Sequence, residues 1–272
     1  MPQPFEVIDA FTDRPFAGNP AAVVVLDAPV SDRWMSLCAR EMNLSETSFV
    51  EPAPDGFRLR WFTPTVEVEL CGHATLAAAH VLFHKGRVGP DATVRFATRS
   101  GALFATRKAA GRIELDFPVV PAVATTPPAE LTSALGVEPI AVARSQFDLL
   151  VEVADEATVR GLSPDIGAIS RLPVRGVMIT ARAIGQPYDF VSRFFGPAVG
   201  IPEDPVTGSA HCTLGPYWAE KLRKVELTAF QASARGGTLY LTVRGDRVGI
   251  AGHAVTVGRG EILSAAELAA QE

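Results

Sequence analysis

The chain is poor in cysteine and holds no long apolar run. Its three cysteines are Cys38, Cys71 and Cys212. Their spacing matches no metal-binding pattern and they cannot all pair, which indicates reduced thiols and predicts a cytoplasmic protein. No apolar stretch is long enough to span a bilayer. Residues 1–4 lack the basic and apolar regions of a secretion signal, so we expect neither membrane attachment nor export.

Positive charge and cofactor motifs are scarce as well. The formal net charge is −5, and the basic residues are scattered, so we expect no nucleic-acid-binding face. The sequence contains no HExxH pair, no Walker loop and no dinucleotide-binding glycine fingerprint. We therefore expect no metal, no nucleotide and no nicotinamide cofactor. A composition of 47% hydrophobic and 20% charged residues is ordinary for a globular enzyme.

Two glycine-led helices organise the sequence. Residues 69–80 predict the end of a strand, a tight turn at Gly72 and a helix so poor in charge that it must be buried. Residues 203–218 repeat this pattern with a turn at Gly208. The two glycines lie 136 residues apart, half of the 272-residue chain, which predicts two copies of one domain. Helix starts of this kind bind anions, so two of them across a cleft predict a site for a small anion.

The rest of the chain predicts many short antiparallel strands separated by turns. With one apolar helix in each half, this pattern indicates an α+β protein in which a curled sheet wraps around each helix. Residues 118–128 hold four prolines and predict the crossing between domains. We expect a first domain at residues 1–118 and a second at 119–258. The tail at 259–272, with a short helix predicted from Ser264, is expected to pack back on the first domain.

Five separated blocks of the sequence resemble the PhzF-like family of phenazine biosynthesis proteins. The blocks are residues 9–12 with 16–23, 43–47, 60–64, 71–76 and 203–210. The resemblance implies a diaminopimelate-epimerase-like fold of two pseudo-symmetric domains, each a mostly antiparallel β-barrel around a central helix. It also implies a homodimer and a cofactor-independent isomerase, because the characterised member isomerises a dihydro-hydroxyanthranilate without a cofactor. The substrate itself does not carry over from the family.

The resemblance also implies a set of site residues. They are Glu46 as the acid–base carboxylate, His73 and Asp204 as assisting catalytic groups, and Ser209, Gly72 and Gly208 as substrate contacts. Without the resemblance, Glu46 would be interpreted as a solvated loop carboxylate and His73 as a capping or core histidine. Asp204 and Ser209 would be interpreted as helix caps. We expect Glu46 to lie in an apolar cleft that raises its pKa toward neutrality, which suits proton transfer.

Cys71 separates two mechanisms. Epimerases of this fold use two cysteines, one on each side of the reacting carbon. The residue 136 positions after Cys71 is Thr207, and Cys212 falls inside the second helix, so a second catalytic thiol is missing. We therefore favour a proton shift by Glu46 within a small carboxylate substrate. An amino-acid epimerase or racemase and a non-catalytic small-molecule binder remain the alternatives.

Overall fold

The structure is a computed structural model that describes residues 2–263. It divides into two compact units, residues 2–116 with 251–263 and residues 117–250. The sequence-based division placed residues 119–258 together, whereas the structure groups residues 251–258 with the first unit. The end of the tail, including the helix predicted from Ser264, lies outside the described residues. Within residues 2–263, no helix has both the length and the hydropathy needed to cross a membrane.

Strands outnumber helices in both halves of the chain. Up to residue 118 the elements are β1 (Gln3–Ala10), β2 (Asn19–Val25), α1 (Asp32–Met42), β3 (Glu46–Ala53), β4 (Gly56–Phe62), β5 (Glu67–Val68), α2 (Gly72–His84), β6 (Thr93–Thr98), β7 (Gly101–Arg107) and β8 (Ile113–Pro118). The later elements are β9 (Val123–Ala124), α3 (Leu131–Leu135), β10 (Ala141–Arg144), β11 (Asp148–Glu152), α4 (Glu156–Gly161), α5 (Ile166–Ser170), β12 (Gly176–Arg182), β13 (Phe190–Gly196), β14 (Ile201–Asp204), α6 (Gly208–Leu222), β15 (Glu226–Gln231), β16 (Gly237–Arg244), β17 (Arg247–Gly252) and β18 (Ala254–Ile262). The predicted α+β class and the helix starts at Gly72 and Gly208 are confirmed.

The sheet of the first unit packs around α2. β1 pairs antiparallel with both β18 and β2, and β2 runs parallel to β3. β4 is antiparallel to β3 and to the short β5, and parallel to β6, which continues antiparallel through β7 to β8. α2 contacts β1, β2, β3 and β18. Within the described residues the sheet is not closed, so the predicted barrel is an open, curled sheet.

The second unit repeats the same order of pairings. β10 is antiparallel to β11, β11 is parallel to β12, and β12 is antiparallel to β13. β13 is antiparallel to the short β14 and parallel to β15, which pairs antiparallel with β16. α6 lies in the chain between β14 and β15, as α2 lies between β5 and β6. The duplication predicted from the two glycine-led helices is therefore present in the topology.

The two central helices, α2 and α6, differ in sequence: α2 is apolar on all sides, and α6 contains a proline. Every residue of α2 from His73 to Ala79 is buried, because a helix with apolar residues on all sides has no face for water. α6 contains Pro216, which has no N–H to donate to the carbonyl of Cys212 four residues earlier. The backbone N–H of Val120 donates to that carbonyl instead, at 3.0 Å. The segment after β8 thus supplies the hydrogen bond that Pro216 removes from α6.

Gly18 fixes the turn that leads into β2. Its φ is +65°, and a Cβ there would lie 2.1 Å from the carbonyl oxygen of Ala10. No side chain fits at that distance, so only glycine allows the chain to pass Ala10 and begin β2 at Asn19. Gly86, after α2, has the same φ of +65°, but nothing lies within 4 Å of its Cβ position.

We expect Gly18→Ala to destabilise the protein more than Gly86→Ala. The control should cost about 1–2 kcal/mol, since both variants place a Cβ in the left-handed region. Gly18→Ala should cost at least about 2 kcal/mol more because the backbone must also move away from Ala10. Urea unfolding of the two variants measures the difference. Equal losses of stability would show that the close approach to Ala10 does not constrain this turn.

His211 is a fully buried histidine in α6. Its Nδ1 donates to the carbonyl oxygen of Thr207 at 2.8 Å, and its ring stacks on Phe190 at 6.0 Å. Its Nε2 has no hydrogen-bond partner among the described residues. Protonation would place an unpaired N–H in apolar surroundings, and burial accordingly lowers the pKa of His211 from 6.5 to about 4.

This lowered pKa predicts a loss of stability in acid. Between pH 6.5 and about 4, His211 is protonated in the unfolded chain but not in the folded protein. The free energy of unfolding therefore falls as the pH falls. The contribution of this one group is on the order of 3 kcal/mol. In urea unfolding at pH 7 and pH 4.5, His211→Asn should lose clearly less stability between the two values than the wild type. An unchanged difference would contradict this account of His211.

Candidate active site

Glu46 is brought into the interior by the end of α1. The helix ends at Asn43 in the left-handed conformation, with φ 49°, and the chain then enters β3 at Glu46. β3 lies parallel to β2 with Ala21 opposite Glu46. Glu46 is only 8% exposed, and Asn19 at the start of β2 is fully buried. The predicted base is therefore a buried strand residue and not a solvated loop carboxylate.

The start of α2 places His73 and Cys71 beside Glu46. Cys71 is the N-cap residue, but its side chain makes no capping hydrogen bond. His73 Nε2 lies 3.3 Å from Glu46 Oε2. On the other edge of the ring, His73 Nδ1 lies 3.2 Å from Asn19 Nδ2 and 3.5 Å from Cys71 Sγ. The first unit thus gathers two predicted catalytic residues and two further polar groups at the helix start.

His73 is neutral at physiological pH. Burial lowers its pKa from 6.5 to about 3. Its distance to Glu46 is within ion-pair range, yet the imidazole carries no charge, and Nε2 is not aligned for a hydrogen bond within the described residues. With the Asn19 amide oriented as in the structure, its N–H donates to Nδ1, which leaves the ring proton on Nε2 facing Glu46. His73 is therefore a neutral side chain whose Nε2 edge lies beside the Glu46 carboxyl group.

In the second unit, Asp204 is held by the residue that begins α6. Thr207 is the N-cap, and its hydroxyl donates to Asp204 Oδ2 at 2.6 Å instead of capping the helix. Gln231 is fully buried; its Oε1 accepts from the Thr207 N–H at 2.8 Å and its Nε2 donates to the Asp204 carbonyl at 2.7 Å. Asp204 is therefore a positioned carboxylate and not a helix cap.

Ser209 contacts Arg175, a residue that was not predicted from the sequence. It is the second residue of α6, and its Oγ accepts from Arg175 Nη2 at 3.2 Å. Arg175 is held by Asp148, which accepts from Nε at 2.9 Å and from Nη2 at 2.5 Å. The rings of Phe147 and Phe194 lie 5.3 Å and 5.6 Å from the guanidinium carbon. The side chain of Arg175 is 33% exposed, so a fixed cation faces solvent near the start of α6.

The missed residues occupy equivalent places in the two units. Asp148 begins β11 and Arg175 immediately precedes β12, just as Asn19 and Glu46 begin the parallel strands β2 and β3. The 136-residue offset that aligns Gly72 with Gly208 fails here. One helix, α1, connects β2 to β3, whereas two helices, α4 and α5, connect β11 to β12. Only the order of parallel strands would have directed attention to Arg175.

One group of these side chains has the composition of a metal site. Glu46, Cys71 and His73 each offer a ligand atom, and the three atoms lie within 4.8 Å of one another. The sequence spacing did not reveal the group because Glu46 comes from β3 and the other two from the start of α2. Cys212, by contrast, is buried inside α6, where desolvation raises the pKa of its thiol to about 12.

Known proteins resemble this chain along nearly its whole length. Residues 8–260 match the family model described as phenazine biosynthesis-like protein, PhzC-PhzF. A protein named as an uncharacterized isomerase in Pseudomonas aeruginosa is 53% identical over 95% of this chain and 97% of its own length. Another so named, in Halalkalibacterium halodurans, is 49% identical over 97% of this chain and 99% of its own length.

Solved structures extend the comparison to the fold. A PhzF family crystal structure from Enterococcus faecalis has a TM-score of 0.93 at 42% identity, covering 97% of this chain and 100% of that one. A probable proline racemase from Agrobacterium radiobacter shares the fold alone, with a TM-score of 0.65 at 13% identity over 96% of this chain and 93% of that one. The chain therefore belongs to the PhzC-PhzF family of phenazine biosynthesis-like proteins and is an enzyme of the isomerase class.

Proposed function

We propose that the protein is a cofactor-independent isomerase that moves a proton within a small unsaturated carboxylate, with Glu46 as the acid–base group. The observation that carries this proposal is the buried Glu46 carboxyl group, 3.3 Å from a neutral histidine at the start of α2. A carboxylate in such surroundings is poorly solvated, which favours proton uptake from a carbon acid.

The proposed reaction is an allylic proton shift. Glu46 removes a proton from the activated carbon, and the electron pair left behind is delocalised into the conjugated system. Glu46 then returns the proton at the other end of that system, so that the formula of the substrate is unchanged. The Nε2–H of His73 faces Glu46 and steadies its charge when the carboxyl group is ionised. Because His73 stays neutral, it does not trap the transferred proton.

The second unit holds, at the start of α6, groups suited to bind a carboxylate. Arg175 presents a guanidinium fixed by Asp148, and its Nη2 donates to Ser209 Oγ. Gly208 begins α6 without a side chain, so a carboxylate can approach the N–H groups of the first turn. Asp204, fixed by the Thr207 hydroxyl, is the assisting carboxylate. A cation beside a helix start favours an anionic substrate over a neutral one.

An amino-acid epimerase is the second candidate. It is favoured by Cys71, whose Sγ lies 3.5 Å from His73 Nδ1 and could lose its proton there. Against it stands Thr207, which occupies the N-cap of α6 as Cys71 occupies the N-cap of α2. An alcohol of this type does not exchange protons with carbon as a thiolate does, so the two-base route lacks its second base.

The test is exchange from solvent deuterium. Dihydro-3-hydroxyanthranilate and a set of small unsaturated carboxylates are incubated in D2O, and deuterium incorporation is followed by NMR. We expect Glu46→Gln to fold and to lose at least about a hundredfold in the exchange rate, since a positioned acid–base group contributes about 10²–10⁴-fold. Cys71→Ser is the matched control and should retain exchange. If the wild type exchanged deuterium at the Cα of amino acids and Cys71→Ser lost that exchange, the result would support the epimerase instead.

Arg175→Lys tests the assigned carboxylate contact. The substitution keeps a positive charge beside Asp148 but removes the planar guanidinium fork. On the carboxylate that the wild type turns over best, we expect KM to rise about tenfold with kcat little changed. Arg144→Lys is the control, because the guanidinium of exposed Arg144 donates to the carbonyl of Pro173 and, among the described residues, contacts no carboxylate. An equal KM in both variants would show that Arg175 does not bind the substrate.

A further inference from the structure

The start of α2 carries a carboxylate, a thiol and an imidazole, the side-chain types that bind Zn²⁺. We propose that Glu46, Cys71 and His73 form an inhibitory site for a soft divalent metal ion, with Zn²⁺ as the expected ligand. The three residues place one ligand atom each within 4.8 Å of the others. Neither the sequence motifs nor the proposed reaction uses a metal, so the ion would act as an inhibitor and not as a cofactor.

The geometry of Cys71 and His73 matches a tetrahedral zinc ion. A sulfur at 2.3 Å and a nitrogen at about 2.0–2.1 Å from Zn²⁺, at the tetrahedral angle, lie about 3.5 Å apart. Cys71 Sγ and His73 Nδ1 are separated by 3.5 Å. Because the helix start fixes both residues, this donor pair is preorganised before any ion binds.

Glu46 and Asn19 supply the oxygen donors. The Glu46 carboxylate contacts the Nε2 edge of the ring, so its side chain must rotate toward Nδ1 to reach the same ion. The Asn19 amide nitrogen lies 3.2 Å from Nδ1, and a half-turn of that amide presents its oxygen there. Glu46 is therefore the third ligand of the proposed site, and Asn19 is its candidate for the fourth.

The electrostatics of the group suit a soft divalent ion. A half-turn of the Asn19 amide frees the lone pair of His73 Nδ1 to coordinate the ion. A thiolate and a carboxylate together cancel the two charges of the ion, so the complex buries no net charge. The thiolate selects Zn²⁺ and Co²⁺ over the hard ions Mg²⁺ and Ca²⁺. A metal bound to Glu46 blocks the oxygens that must accept the proton, and this inhibitory consequence rests on the proposed function.

Cobalt provides a direct optical test. Chelator-treated protein is titrated with Co²⁺, which gives a near-ultraviolet thiolate-to-cobalt band and intense visible bands in a tetrahedral site. We expect one Co²⁺ per chain with the thiolate band, and we expect Zn²⁺ to displace it. Cys71→Ser and Cys71→Ala should lose the band and weaken Zn²⁺ binding by about a hundredfold or more, since even groups behind the ligands contribute 10–100-fold.

Two control variants separate this site from others. Cys38→Ala removes a thiol buried in α1, and the band should persist in it. His84→Asn disrupts the His80–His84 ring pair, stacked at 6.0 Å and spaced four residues apart on α2, and the band should persist there as well. Absence of the band in the wild type, or its persistence in both Cys71 variants, would overturn the proposal.

Thiol labelling keeps the test valid if the Cys71 variants do not fold. In wild-type protein, Zn²⁺ should slow alkylation of Cys71 at least tenfold while the slow labelling of Cys38 and Cys212 stays the same, as measured by peptide mass analysis. Equal labelling of Cys71 with and without Zn²⁺ would overturn the proposal.

Inhibition by Zn²⁺ is measured as the ratio of the deuterium exchange rates with and without the ion. Zn²⁺ should suppress deuterium exchange in the wild type and chelation should restore it, whereas in Cys71→Ser the ratio of rates with and without Zn²⁺ should approach one. Wild-type exchange that persists at saturating Zn²⁺ would overturn the inhibitory part of the proposal.

If Zn²⁺ binds as expected but Glu46→Gln still catalyses exchange, the metal site stands and the assignment of Glu46 as base falls. If Glu46→Gln is inactive and the cobalt band is absent, the reverse holds.

Discussion

Burial of a central helix against the sheet of each unit is the constraint on which the rest of the structure depends. α2 has no polar face, so it is stable only where strands cover it on several sides, as β1, β2, β3 and β18 do. Among the described residues, the start of α2 is where Glu46, Cys71 and His73 come together. α2 begins at Gly72, which has no side chain, and the side chain of its N-cap residue Cys71 makes no capping hydrogen bond. The backbone N–H groups of the first turn are therefore not covered by either side chain. The candidate site in the first unit follows from where this helix has to begin.

The duplication keeps that frame and changes the chemistry. In the first unit the starts of the parallel strands bring Asn19 and Glu46 to the helix, and in the second the corresponding places hold Asp148 and Arg175. The first unit thus holds a buried carboxyl group at this place, which we propose as the acid–base group, and the second holds a fixed cation. Two copies of one topology can separate proton transfer from charge recognition without any change of fold.

The sequence predicted the parts of the structure that depend on local pattern. The helix starts at Gly72 and Gly208 and the N-cap equivalence of Cys71 and Thr207 follow from a repeat visible in the residues themselves. The short strands β9 and β10 and the helix α5 lack strong periodicity and were not predicted. Arg175 was missed because its role depends on β11 and β12 lying side by side, which no local pattern encodes. The homodimer and the roles of all the site residues stay predictions: Glu46, His73 and Asp204 in catalysis, and Gly72, Gly208 and Ser209 in substrate binding.

The neutral state of His73 decides how the first unit can work. If the imidazole were charged, Glu46 would be locked into an ion pair, and its basicity toward a carbon acid would fall. Burial prevents that charge, as the lowered pKa of His73 shows. The same burial leaves Cys71 beside an uncharged ring, which does not stabilise a thiolate as a protonated histidine would. In the proposed reaction, the neutral His73 therefore favours Glu46 over Cys71 as the base.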